Sequence, residues 1–94
     1  MIFQTEETRE LFSAVLSIEN TDECGNFFAD ICTVKELQDL SQRFQVAKLL
    51  KSGKSYQEIS KETGASTATI SRVNRCLVYG SGGYKSVLDK LEDK

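Results

Sequence analysis

Histidine, tryptophan and proline are absent from the 94 residues, and methionine occurs once. Without histidine the chain lacks the usual general base and the Ser-His and Cys-His nucleophile arrangements, so no catalytic residue is expected. The three cysteines, Cys24, Cys32 and Cys76, are odd in number and form no CxxC pair. With histidine missing, zinc-finger spacing is excluded as well, and neither a metal nor a cofactor is expected. The cysteines read as buried thiols acting as small apolar residues. Residues of strong β preference never alternate for long and no proline interrupts the chain, which points to an all-α fold. No apolar run approaches the roughly 20 residues needed to cross a bilayer, so no membrane association is expected. The opening MIFQTEETRE has neither a basic n-region nor an apolar h-region, so a secretion leader is not expected and the expected location is cytoplasmic.

What the chain does hold is unevenly distributed. Apolar residues make up 39%, enough for a folded chain, and the length suits one small domain over residues 1–94. The net charge of −2 conceals a strong polarity. Residues 1–31 set Arg9 against seven acids, for −6, whereas residues 32–79 set eight bases against four acids, for +4, and residues 80–94 balance. Such a chain presents one part to a polyanion and keeps the other away from it.

The periodicity predicts six helices. Thr5 can cap a first helix reaching Ile18, with Glu6 and Glu7 at the positive end of its dipole and Leu11, Phe12, Val15, Leu16 and Ile18 as its apolar stripe. Thr21 is expected to cap a second, carrying Phe27, Phe28 and Ile31, in which Gly25 costs about 1 kcal/mol of helix stability. Together residues 1–31 form acidic helices whose apolar stripes suit a subunit interface. Thr33 and Glu36 make a capping box for a central helix over 33–52. Leu37, Leu40, Phe44, Ala47 and Leu50 follow one of its faces, and Val46 and Leu49 widen that face, which predicts burial on more than one side. The run Tyr79-Gly80-Ser81-Gly82-Gly83-Tyr84 matches neither a Walker loop nor GxGxxG and reads as a flexible joint. A last amphipathic helix over 83–92 carries Tyr84, Val87, Leu88 and Leu91.

Residues 55–77, SYQEISKETGASTATISRVNRCL, carry the functional signal. Ser55 and Glu58 form a capping box, Thr63-Gly64 stops the first helix near Glu62, and Ser66 or Thr67 caps a second. Ile59, Ile70 and Val73 sit where they would lock the two helices at a steep angle, and small Ser60 and Ala65 permit close approach. This is the pattern of a helix-turn-helix. The outer face of the second helix then bears Thr67, Ala68, Ser71, Arg72 and Arg75. Short polar groups at the N-terminal end reach base edges in a major groove, and cations meet phosphates. The candidate DNA-binding residues are Lys54, Gln57, Lys61, Ser66, Thr67, Ala68, Thr69, Ser71 and Arg75. The alternative is a helical protein-interaction module whose helix pair packs on a protein partner. Apolar faces at both ends of the chain predict a homodimer, which would offer two recognition helices to a palindromic operator in double-stranded DNA.

The stretch TVKELQDLSQRFQVAKLLKSGKSYQEISKETGASTATISR, with the later YGSGGY, resembles the Trp repressor family. The whole chain resembles its TrpR-related YerC/YecD-type branch. The resemblance implies a six-helix, intertwined homodimer that acts as a bacterial transcriptional repressor. It also implies that Thr67, Ala68, Thr69 and Ser71 match base- and phosphate-reading positions, and that Gln57 matches a contact in the preceding helix. Arg43 and Arg72 match two arginines that enclose the tryptophan corepressor, although ion pairing and phosphate contact are the favoured account of both. Val73 stands where the family's ligand meets a glycine, and Cys76 where a serine meets its amino group. Arg43, Arg72 and Val73 are therefore the candidate effector residues, and tryptophan itself is not the expected effector.

Overall fold

The computed structural model describes residues 5–92, and they form six α-helices without a strand among them. These are α1 (Glu6–Leu16), α2 (Thr21–Ile31), α3 (Val34–Lys51), α4 (Tyr56–Thr63), α5 (Thr67–Tyr79) and α6 (Gly83–Glu92). The chain divides into two compact units between Leu37 and Gln38, inside α3.

In the first unit local hydrogen bonds set each helix start. The Thr5 hydroxyl accepts from the Thr8 N–H at 3.1 Å, while the Thr8 hydroxyl accepts from the Thr5 N–H at 3.0 Å. α1 ends at Leu16, short of the predicted Ile18, with the Ser17 hydroxyl bonded back to the Ala14 carbonyl. The cap of α2 is Asn20 and not Thr21, because Asn20 is the residue with extended backbone and its side-chain oxygen accepts from the Glu23 N–H at 2.8 Å. Glu23 in turn accepts from the Glu19 N–H at 2.9 Å, so Thr21 becomes simply the first helical residue. The predicted Thr33–Glu36 box is formed in both directions, at 3.1 and 2.8 Å. Its hydrogen bonds, first that from the Thr33 backbone N–H, hold the Glu36 carboxyl below its ordinary value.

The second unit holds the core. Val46, Ala47, Ile59, Ala65, Ile70, Val73 and Leu88 are buried, with Phe44, Leu49, Leu50, Tyr56 and Tyr84 packed on them. The predicted burial of α3 on more than one side therefore applies only to its C-terminal half, since Val34, Leu37 and Leu40 remain exposed. α3 closes at Gly53, whose φ of +91° is left-handed. The Gly53 N–H bonds to the Leu50 carbonyl at 3.0 Å and the Lys54 N–H to that of Leu49 at 3.1 Å, the two bonds of a Schellman motif. Lys51 pairs with Asp89 and, at 3.0 Å, with Glu92, which ties the end of α3 to α6. The hydrogen bond to Asp89 raises the Lys51 pKa and lowers that of Asp89.

Of the YGSGGY run, Gly80, Ser81 and Gly82 form a short turn between α5 and α6, and the flanking residues belong to the two helices. Gly80 caps α5, and a Cβ there would overlap the Cys76 carbonyl oxygen, so no larger residue fits without a shift. The expectation for the cysteines is corrected: Cys24 and Cys32 are half-buried and Cys76 is exposed. Cys76 lines an open apolar groove of about 500 Å³ with Phe44, Tyr84 and Val87, so it borders apolar groups without being enclosed by them.

Candidate nucleic-acid interface

α4, the Gly64 turn and α5 are held together by more than apolar packing. The Ser55 hydroxyl accepts from the Glu58 N–H at 3.2 Å and the Glu58 carboxylate accepts from the Ser55 N–H at 3.4 Å. Those bonds, with Lys54 nearby, keep the Glu58 carboxyl below its ordinary value. α4 ends one residue beyond the predicted Glu62, at Thr63, and Gly64 follows with φ +75°. A side chain in that left-handed conformation would cost about 1–2 kcal/mol. The Ser60 hydroxyl donates to the Ala65 carbonyl at 2.8 Å, so the small residue at 60 contributes a bond across the turn as well as room.

Ile59 and Ile70 are completely buried and Val73 is 1% exposed, so the three residues predicted to lock the helices do occupy the core. Their burial fixes which face of α5 points outward. Ser66 is the cap, accepting from the Thr69 N–H at 3.2 Å, and Thr67, Ala68, Ser71, Arg72 and Arg75 are all exposed. Thr69 is half-buried. α5 carries two arginines and no acid. On α4, Gln57 and Lys61 are exposed. Lys54, in the turn before α4, has its ammonium 3.7 Å from Glu58 and 4.0 Å from Glu62. Such exposed pairs contribute little, so a phosphate can compete for this cation.

Arg43 and Arg72 are brought to one polar groove of about 230 Å³, shared with Asp39, Gln42 and Thr69. Val73 is not among the lining residues, because its side chain is spent on the core. Sequence reasoning passed over Asp39, although it stands four residues before Arg43, the spacing that brings side chains together on a helix. It also missed the role of Thr63 as a junction. The Thr63 hydroxyl donates to the Ile59 carbonyl at 2.7 Å and accepts from the Ala65 N–H, while the Thr63 carbonyl accepts from Gln42 of α3 at 3.2 Å. No periodicity marks such a residue, since a threonine before a glycine reads only as a helix stop.

These elements define a helix-turn-helix protein with an outward, basic second helix. The family model described as Trp repressor protein matches residues 6–92, and the chain belongs to that family, one of DNA-binding transcription regulators and not of enzymes. The uncharacterized protein YerC of Bacillus subtilis (strain 168) is 49% identical over 87 residues, covering 93% of this chain and 84% of that protein. A Staphylococcus aureus protein provisionally assigned as a Trp repressor has a crystal structure with a TM-score of 0.92 at 50% identity, covering 97% of this chain and 91% of that one. A TrpR-like protein from Eubacterium eligens ATCC 27750 also scores 0.92 at 50% identity, covering 95% and 92% of the two chains. Among the described residues no helix is long and apolar enough to cross a membrane.

Proposed function

We propose that this chain is a sequence-specific, DNA-binding transcriptional repressor that works as a homodimer in the cytoplasm. The observation that carries the reading is the outer face of α5. Thr67, Ala68, Ser71, Arg72 and Arg75 are exposed together on a helix without acids, anchored from behind by Ile70 and Val73. Ser66, Thr67, Ala68, Thr69 and Ser71 would lie nearest base edges. Lys54, Lys61, Arg72 and Arg75 would meet phosphates, with Gln57 contacting from α4.

The dimer is supported by the first unit. Neither α1 nor α2 has a buried residue, and Leu11, Phe12, Leu16 and Ile31 are 39, 45, 84 and 50% exposed. Exposed apolar surface on this scale calls for a partner. A second copy would cover these stripes and join residues 1–31 to one shared, intertwined domain. Selecting bound sequences from a random DNA pool with the purified protein tests the reading. It should enrich two inverted half-sites about one helical turn, 34–36 Å, apart. Enrichment of no sequence would favour the protein-interaction module instead.

Tryptophan is not the effector in this reading. Val73 is packed into the core where the resemblance calls for a glycine against the indole, and a β-branched side chain on a helix has little freedom to move aside. Seating the ring at that position would then displace core side chains, an overpacking of about 1–3 kcal/mol. Arg43 and Arg72 would still suit the carboxylate of a smaller acidic ligand, opposed by the Asp39 carboxyl in the same groove. Calorimetry with millimolar tryptophan should show no binding heat, and operator affinity should be unchanged. A micromolar isotherm would mean that Val73 gives way.

A further inference from the structure

Val46 and Ala47 of α3 share one buried cluster with Ile59, Ile70 and Val73 of the helix-turn-helix. Apolar burial has no preferred direction, so it resists parting of α3 from α4 and α5 more than sliding between them. Gln42 supplies the direction that the packing lacks. It stands four residues before Val46, hence on the same side of α3. Its side-chain amide donates to the Thr63 carbonyl at 3.2 Å, and both residues are half-buried. Thr63 is the last residue of α4, where carbonyls have no partner within the helix. The bond therefore caps α4 from α3, at the residue before the Gly64 turn. Thr63 passes that hold forward, because its hydroxyl accepts the Ala65 N–H at 3.1 Å, beside the Ser66 cap of α5. Such a contact has ceased to be a hydrogen bond by about 3.6 Å.

Building on the DNA-binding dimer put forward above, on which this step rests, we propose that Gln42 is a positioning residue that sets the half-site spacing the dimer accepts. α3 runs unbroken from the first unit, whose apolar stripes suit a second copy, into the second unit, which carries α4 and α5. The separation of the two recognition helices then depends on how each α4–α5 head is fixed to its own α3. One base pair more or less between half-sites moves them by about 3.4 Å along the duplex and by about a tenth of a helical turn around it. Two heads sharing that displacement would each shift by about 1.7 Å, more than the Gln42–Thr63 bond survives. Apolar packing follows such a shift by sliding, whereas the bond breaks. An intact bond in each protomer therefore penalises sites of the wrong spacing. Gln42 acts through Thr63 and need touch neither base nor phosphate.

The test is random-pool selection with three proteins, the natural chain, Gln42→Met and Gln42→Glu, scored for the spacing between paired half-sites. Methionine and glutamate keep the length and helix propensity of glutamine, and neither can donate, since an ionised carboxylate only accepts. Circular dichroism at the assay temperature checks that both variants are folded. The natural chain should enrich one spacing. In each variant the depletion of sites one base pair longer or shorter should shrink by about fivefold, the discrimination of one net hydrogen bond. Base preferences within each half-site should stay as they were. A natural chain indifferent to spacing, or a folded variant with a profile as narrow as the natural one, would overturn the proposal. A lowered Tm with an unchanged spacing profile would do the same, leaving the bond a stabilising contact only. So would base preferences flattened by Gln42→Met, or a salt slope made shallower by it, which would make Gln42 a base or phosphate contact. Failure of the natural chain to enrich any paired half-sites would instead remove the dimeric DNA-binding role, and this inference with it.

Discussion

Raising the salt from about 50 to about 200 mM should weaken DNA binding by about 10⁴-fold, through counterion release. The size follows from the cations around α5. Lys54, Lys61, Arg72 and Arg75 in each protomer give a dimer about eight phosphate contacts, hence a log–log slope near −7. Lys54 is the informative one, because Glu58 and Glu62 already stand 3.7 and 4.0 Å from its ammonium. If a phosphate displaces those carboxylates, Lys54→Ala should make the slope shallower by about 2 in the dimer and weaken all sequences alike. If Lys54 stays with its carboxylates, the slope will not move. A slope shallower than about −2 for the natural chain would mean that few phosphates are neutralised, and the protein-interaction reading would stand in place of DNA binding.

The same cations explain how far the site could be read from the sequence. Exposure of Thr67, Ala68, Ser71, Arg72 and Arg75 follows once Ile59, Ile70 and Val73 are assigned to the core, and spacing alone makes that assignment. Helix starts were legible wherever the capping residues were reciprocal, as at Ser55–Glu58 and Thr33–Glu36. They were misread at Asn20, where two adjacent residues could both cap and only backbone conformation decides between them. What spacing could not reveal is contact between segments distant in sequence. Gln42 reaching the Thr63 carbonyl and Lys51 reaching Asp89 join residues 21 and 38 positions apart. The exposure of Cys76 is of the same kind, since it depends on how Phe44 of α3 and Tyr84 and Val87 of α6 border it.

Ile70→Ala should be the most damaging of the core truncations. Ile70 is completely buried and shares its cluster with Ile59, Ala65 and Val73, so both helices of the reading head lose a common contact. Truncating such an isoleucine typically costs about 2–5 kcal/mol, the lost transfer free energy plus the cavity left behind. Small domains have only about 5–15 kcal/mol in total. At about 4–8 °C per kcal/mol for a chain of this size, Tm should fall by at least about 8 °C. The comparison has to be made at equal protomer concentration, because a dimer's stability depends on it. Ile70→Val removes one methylene and should cost only about 0.5–1.5 kcal/mol. Arg75→Ala provides the contrast, because Arg75 is exposed and lies outside the buried core. It should leave Tm within a few degrees and weaken DNA binding, whereas Ile70→Ala should lower Tm first and lose DNA only as the head unfolds. A Tm for Ile70→Ala within about 3 °C of the natural protein would show that α5 is not anchored through this residue. The outward face assigned to α5 would then lose its support, since the burial of Ile70 and Val73 is what turns that face toward solvent.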